Sequence, residues 1–572
     1  MPAEWTICPP WPQRDDFARR LGISPLVAQI LHNRGVVDPE DARRFLKPDL
    51  NALHPPETLP GALEAAELIC RKIDDRRPIV IYGDYDVDGI TAIAILWHLL
   101  TRAGADVSFY IPHRLEEGYG LNADALRQLR SEGADTVVTV DCGITALEEV
   151  RLARQIGLTL VVTDHHTPLA SLPEADAIVH PRIGAGSPNP EICGAGVAFK
   201  LAWAIARRLS RGEKVTPDLR QFLLDATALV ALGTIADVVP LLGENRVLAG
   251  FGLKSLRNST MPGLAALIAS ANLGEKRLNS DDVGFWLAPR LNAAGRMGHA
   301  RLAAELLTRA DAARAAEIAR FLESQNRSRQ ALQRRIFDEA REEIERRNLA
   351  SDARRAIVLA REGWHPGVIG IVASRLVETC NRPTILIGIN GGEGQGSGRS
   401  IRNLHMHQVL TECAEHLLGF GGHAMAAGLR VAPERIEAFA EAFVARANRL
   451  LTARDLEPSL RLDAEVPLDA LTEPLVRDLE RLGPFGTGNP RPRFASPSLT
   501  LACEPRLVGR NADHLQLHFT DGRQSRKAIA FGRKDLLEPL QEKRRCRVAF
   551  EPILNSFNGR TSVELQVVDM AF

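Results

Sequence analysis

From Pro78 onward the chain alternates short β-branched runs with helical stretches, and three of those runs end on an aspartate or run straight into one. PIVIY (78–82) leads to ITAIAILWHLLTRAG (90–104), TVVTVD (136–141) leads to TALEEVRLARQIG (145–157), and LTLVVTD (158–164) follows, with VSFYI (107–111) as a further strand. Strands joined by helical crossovers pair in parallel, so the pattern predicts an α/β fold with a doubly wound parallel sheet. In open sheets of this kind ligands bind beyond the carboxyl ends of the strands. Chemistry is therefore expected at three loops.

Those loops are dense in charge. The first holds Asp84, Asp86 and Asp88 within DYDVDG; the second opens with Asp141-Cys142-Gly143; the third is Asp164-His165-His166. Carboxylates crowded together raise one another's pKa unless a cation separates them. Hard oxygen donors suit Mg²⁺ or Mn²⁺, and added imidazole favours Mn²⁺. DYDVDG also opens like a calcium EF-hand loop. With Asp84 as position one, however, the twelfth position is Ile95, which cannot coordinate. Solvated surface acids remain the plain alternative, and three acidic loops at one sheet edge count against it.

The rest of the chain divides by texture. Residues 1–50 read as a helical lead-in without nameable chemistry, and 51–310 as the sheet-bearing unit. There is neither glycine nor proline between Gly298 and Gly363. Within that stretch, 311–350 reads as one long helix whose middle, ESQNRSRQ (323–330), is polar all round. Such a helix is expected to span solvent between two units. Residues 351–455 form a smaller α/β unit, and 456–572 carry short alternating strands that suggest an OB-like β-barrel.

Net charge is zero, with 71 basic and 71 acidic residues, yet 62 of the basic residues are arginine and Arg481–Phe572 holds 15 basic against 9 acidic. A GC-rich genome explains arginine enrichment blandly, and bidentate phosphate binding explains it functionally. The eight cysteines are scattered with no C-x-x-C pair, no run of 18 apolar residues is present, and the N-terminus lacks a secretory pattern. These features point to a reducing compartment, the cytoplasm, and to no membrane span.

In order, DYDVDG (84–89), VDCG (140–143), DHH (164–166) and GTIADVVPL (233–241) resemble the motifs of the DHH phosphoesterase superfamily. GGHAMAAG (421–428) resembles the signature of the DHHA1 accessory domain. RLNAAGRMG (290–298) and the C-terminal strands narrow the likeness to RecJ-like members, over roughly 45–572. The resemblance implies a single-strand-specific 5′→3′ DNA exonuclease of recombination and repair, using two divalent cations, Mn²⁺ or Mg²⁺. It implies that Asp84, Asp86 and Asp141 hold one ion. Asp88, His165 and Asp237 would hold the other, with Asp141 bridging. His166 would donate to the scissile phosphate and Asp164 would orient one of the two imidazoles. Asp237 sits in an apolar run where a lone carboxylate is expensive, although an ordinary helix cap is its plain reading.

The second unit supplies positive charge and glycine. GQGSGRS (394–400), with Ser397 and Arg399, is expected as a turn that clamps phosphate. Gly421, Gly422 and His423 are expected before a helix start that favours an anion. Arg290, Asn292 and Arg296, in a loop, would add donors, and Arg114 in HRLEEGYG could reach the strand. Trp364 is expected in the core. The implied partners are single-stranded DNA, a single-strand-binding protein and a helicase, with the chain monomeric. Two other readings stand beside this one: a DHH phosphodiesterase for short oligonucleotides or signalling dinucleotides, and a non-catalytic single-strand binder.

Overall fold

The β-branched runs after Pro78 build the expected sheet. The computed structural model describes residues 3–572 except 114–116, 119, 212–213, 275 and 558, so Arg114 lies outside the described residues. Five strands, β1 (Ile79–Gly83), β2 (Val107–Tyr110), β3 (Thr136–Val140), β4 (Thr159–Thr163) and β5 (Ala177–Val179), lie in the order β2-β1-β3-β4-β5. Every neighbouring pair is parallel. β1 and β3 are buried along their whole length, which is why they read as apolar runs rather than alternations.

Side chains of period two split between the faces. Ile79 and Ile81 enter one core with helices α1 (Val87–Arg102), α2 (Gly194–Leu209) and α3 (Pro217–Ala236), through Ile93, Leu96, Val197 and Leu229. Val80 and Tyr82 enter the opposite one with Leu126 and Val150. By length and composition helix α3 is apolar enough to cross a membrane. Its most apolar 18 residues are 67% buried inside the protein, so its apolar surface is explained by the core.

A π-helical turn, Val283–Leu287, leads into α4 (Ala288–Arg296). RLNAAGRMG is thus largely helical rather than a loop. Helix α5 (Ala312–Arg346) runs 35 residues from the Asp311 cap, whose carboxylate accepts from the Arg314 amide at 2.8 Å. Its polar middle does not span solvent. Asn326 and Arg329 are buried and bonded to each other at 2.9 Å, and Glu323 pairs with Arg290 at 2.7 Å. Periodicity shows polarity, but it does not show a polar partner arriving from another helix.

The second unit contains β6 (Ile357–Glu362), α6 (Pro366–Cys380), β7 (Thr384–Asn390), β8 (Glu393–Arg399), β9 (Gly419–Gly422) and β10 (Ala426–Val431), in sheet order β9-β10-β8-β7-β6. Two expectations are corrected here. GQGSGRS is mostly an interior strand, β8, not a turn. A Cβ at Gly396 would lie 2.6 Å from the Leu429 side chain, so packing, not anion binding, demands that glycine. Gly421 and Gly422 belong to the hairpin β9–β10, closed by His423 N–H to Ala426 O at 2.8 Å. No helix starts there. Trp364 is buried as expected, and its indole donates to Glu339 at 2.8 Å.

The C-terminal strands form a mixed eight-stranded sheet with a long hairpin, Arg545–Phe557 against Arg560–Ala571. Pairing from Leu499–Leu501 through His514–Thr520 and Ser525–Ala530 to that hairpin returns to its start, which leaves those strands without an open edge. The N-terminal helices are part of this unit rather than a lead-in. Phe17, Ile30 and Phe45 share a core with Phe494, Phe519 and Phe550, and Glu4–Ile7 pairs in parallel with Ser459–Leu462. Three short helices cannot bury their apolar faces alone, so they must find another surface.

Candidate metal centre

Each acidic residue reaches the site because a strand ends and the chain turns. After β1, the Asp86 carboxylate caps α1, accepting from the amides of Asp88 at 2.9 Å and Gly89 at 3.1 Å. The cap aligns Asp84 and Asp88 on either side of it, both buried. After β3, Asp141 adopts φ +62, a conformation short polar side chains tolerate better than most and one often found at functional sites. After β4, the Asp164 carboxylate accepts from the Ile144 amide at 3.0 Å, the His165 amide at 2.7 Å and His166 Nδ1 at 2.7 Å. The imidazole that Asp164 orients is therefore that of His166. Asp237 arrives from across the core as the residue that ends α3.

These groups converge. Three triads place their ligand atoms within 4.8 Å of one another: Asp84, Asp86 and Asp141; Asp88, His165 and Asp237; and Asp141, His165 and His166. His165 Nε2 lies 3.1 Å from Asp141, 3.6 Å from Asp237 and 3.8 Å from Asp88. Asp141 and His165 each belong to two of the triads.

The electrostatics ask for a cation. Burial and the Asp86 charge push Asp88 up to about 6; burial and Asp88 push Asp237 up to about 8; burial and four neighbouring carboxylates hold Asp141 well above its usual range. Asp237 also sits at the negative end of the α3 dipole, a poor place for a carboxylate. Burial and the neighbouring His166 drive His165 down to about 3, leaving it neutral and able to ligate. Burial opposes a charged His166, but the Asp164 bond and charge hold it up to about 9. Burial alone would raise Asp164, yet its bond to His166 draws it down to about 2. A buried set of hard oxygens with a neutral imidazole fits Mn²⁺ or Mg²⁺.

Other residues shape the site, and most of them lie outside the motifs. The first amides of α2 clamp Asp88, Gly194 at 2.6 Å and Ala195 at 2.8 Å. A Cβ at Gly194 would stand 2.7 Å from Asp141 Oδ1, and one at Gly233 would stand 2.5 Å from Asp88 Oδ1. Gly233 opens the GTIADVVPL motif, whereas Gly194 lies outside every motif and its only local signal is a glycine at a helix start. His180 supports the third loop by bonding the His166 carbonyl at 2.8 Å.

The second unit meets the first at this edge. Arg296 Nη1 donates to Gly367 O at 3.1 Å, and Arg399 Nη1 donates to Ser397 Oγ at 3.0 Å. Ser397 and Arg399 face Gly370 of α6, where a Cβ would be 2.9 Å from each. Asn292 Oδ1 accepts from the Val87 amide at 3.3 Å. Arg290 departs from its expected role: it is 6% exposed and committed to Glu323 and the Trp286 carbonyl. Gly421, Gly422 and His423 are exposed on the hairpin.

A parallel sheet that gathers buried carboxylates and a DHH loop at one edge defines the DHH class, and the profile of the DHH family, N-terminal domain, matches residues 78–233. The DHHA1 domain matches 354–449 and the RecJ OB domain matches 462–569. The chain belongs to the RecJ family. It is 38% identical over 560 residues to the single-stranded-DNA-specific exonuclease RecJ of Bacillus subtilis, covering 97% of this chain and 69% of that protein. The crystal structure of Thermus thermophilus RecJ in complex with Mn²⁺ superposes with a TM-score of 0.83 at 33% identity, covering 100% of this chain and 79% of that one. The Mg²⁺ complex of the same protein gives 0.78 at 32% identity, covering 100% and 78%.

Proposed function

We propose that this chain is a metal-dependent exonuclease that hydrolyses single-stranded DNA from its 5′ end and releases 5′-mononucleotides. The observation that carries the proposal is the set of three overlapping donor triads at the sheet edge, with Ser397, Arg399 and Arg296 gathered beside α6 next to it. Asp84, Asp86 and Asp141 hold one cation; Asp88, His165 and Asp237 hold the other, with Asp141 shared. Two divalent cations bound there would supply a more acidic water and offset charge on the departing oxygen. His166, kept protonated by Asp164, donates to a phosphate oxygen through its other ring nitrogen. Water adds to phosphorus and the bond to the 3′ oxygen breaks. The released nucleotide keeps its own 5′-phosphate, and the shortened strand begins with a new one. Ser397, Arg399 and Arg296 grip that terminal phosphate, where a guanidinium can bond two oxygens at once.

Residues 51–310 cut, 311–350 connect, 351–455 grip the end, and 456–572, with 1–50 packed on them, hold the strand further along. A monomer carries all of these parts. An enzyme confined to single strands calls for a helicase and a strand-coating protein as partners, and the eight free cysteines suit the cytoplasm. The rival reading, a phosphodiesterase for short oligonucleotides or signalling dinucleotides, makes little use of the basic C-terminal unit. A length series tests it: with Mn²⁺, kcat/KM rises with oligonucleotide length, and chelation abolishes cleavage. Highest kcat/KM on a dinucleotide would favour the rival.

A further inference from the structure

Helix α4 lies as a rail between the three units. At its C-terminal end Arg296 bonds to Gly367 of α6. One residue before, Gly295 packs so closely on the metal loop that a Cβ would be 2.4 Å from Tyr85 O, and in the middle of the helix Asn292 accepts from Val87. Before its start, Asp281 pairs with Arg491 at 2.5 Å and Ser280 donates to Phe485 O at 2.5 Å, so this end abuts the C-terminal unit. This rail joins the proposed terminal-phosphate grip, the metal loop and the C-terminal unit.

The outward face of the rail is unusual. Phe285, Pro289, Asn292 and Arg296 recur at spacings of four, three and four, which places them on one stripe of a helix. None is buried, whereas Leu287, Ala288, Leu291, Ala294 and Gly295 face the core. Phe285 is 74% exposed and its neighbour Trp286 is 51% exposed. Two adjacent bare aromatics are costly to leave in water without a purpose. They sit on the π-helical turn Val283–Leu287, an irregularity that recurs at functional sites. That turn is braced: Arg290 ties the Trp286 carbonyl to Glu323 of α5.

We infer that Phe285, with Trp286 beside it, is a base-stacking step that holds the single strand on the 3′ side of the scissile bond. The inference rests on the exonuclease reading above. Seven residues separate Phe285 from Asn292, about 10 Å of helix, which is about three nucleotides of a strand stacked as in a duplex, at ~3.4 Å each. The aromatic step therefore meets roughly the third to fifth base from the 5′ end. Aromatic faces accept any base, as an enzyme without sequence preference needs. Meanwhile Asn292 and Arg296 on the same stripe serve the backbone nearer the metals.

The test is a cycle between protein and substrate. Phe285→Ala, Phe285→Leu and Phe285→Tyr are compared on a 5′-phosphorylated 12-mer with Mn²⁺, with and without abasic sites at positions three to five. The Ala variant raises KM on the intact 12-mer roughly ten-fold, the scale for losing one stacked base. Tyr restores it and Leu does not. On the abasic 12-mer, wild type and Ala variant converge, and the Ala penalty shrinks as substrates shorten below about four nucleotides. Additive effects of variant and abasic sites, full rescue by Leu, or an equal penalty at every length would overturn the inference. An unchanged KM for the Ala variant would overturn it too, and would point to a protein partner on this face. Failure of the wild-type enzyme to degrade the intact 12-mer would instead sink the exonuclease reading itself. Because both residues are exposed, melting temperatures stay close to wild type.

Discussion

Asp141→Ala abolishes cleavage while leaving single-strand binding intact. On the proposed assignment Asp141 is the shared ligand: it and His165 each belong to two donor triads, and they stand 3.1 Å apart. Its loss removes a ligand from both candidate cation positions. The expected fall in kcat is roughly a hundred-fold or more, the scale for losing a preorganised charge-stabilising group. On the proposed reading binding is carried by arginines elsewhere, so deleting an acid from the cleft does not weaken it. Fluorescence anisotropy with a labelled oligonucleotide checks binding, and single-turnover cleavage at saturating Mn²⁺ checks chemistry. Retention of more than about a tenth of the wild-type rate would show that Asp141 does not bridge.

Gly194→Ala raises the Mn²⁺ concentration for half-maximal activity ten-fold or more, the size of effect typical of residues that orient metal ligands. No charge is removed. The added methyl would stand 2.7 Å from Asp141 Oδ1 and 2.8 Å from its Cβ, so either the carboxylate or the first turn of α2 must shift. That turn supplies the two amides that fix Asp88. One methyl therefore disturbs ligands of both candidate positions. A metal titration of activity, with circular dichroism to verify the fold, measures it. A half-saturation point equal to wild type would mean that the α2 terminus does not position the ligands.

The part of the site that was legible in sequence is the part written locally. β1, β3 and β4 are buried β-branched runs, and the acids at their ends are fixed by where each strand stops. Fold and donor set followed together. What was misread depended on partners distant in sequence. Glycine in GQGSGRS reads as turn chemistry, whereas Gly396 is small because Leu429 crosses it and Gly398 because Met406 does. Arg290 was taken for a phosphate donor because nothing local shows Glu323 arriving from α5. Residues 1–50 were taken for a separate lead-in, but Trp5 pairs with Leu460 far along the chain. Phe285 and Trp286 carry no local signal, because aromatic residues in a helical run usually face a core.

The most direct measurement of the central claim follows label position. A single-stranded oligonucleotide carrying ³²P as its 5′-phosphate is digested with Mn²⁺ and sampled at partial conversion, beside a chelated control and an identical strand labelled at the 3′ end. The account predicts that the 5′ label appears first as a 5′-mononucleotide and never on shortened intermediates, while the 3′ label descends a ladder, and that the chelated control stays intact. A 5′ label retained on shortened fragments, or cleavage that survives chelation, would contradict it.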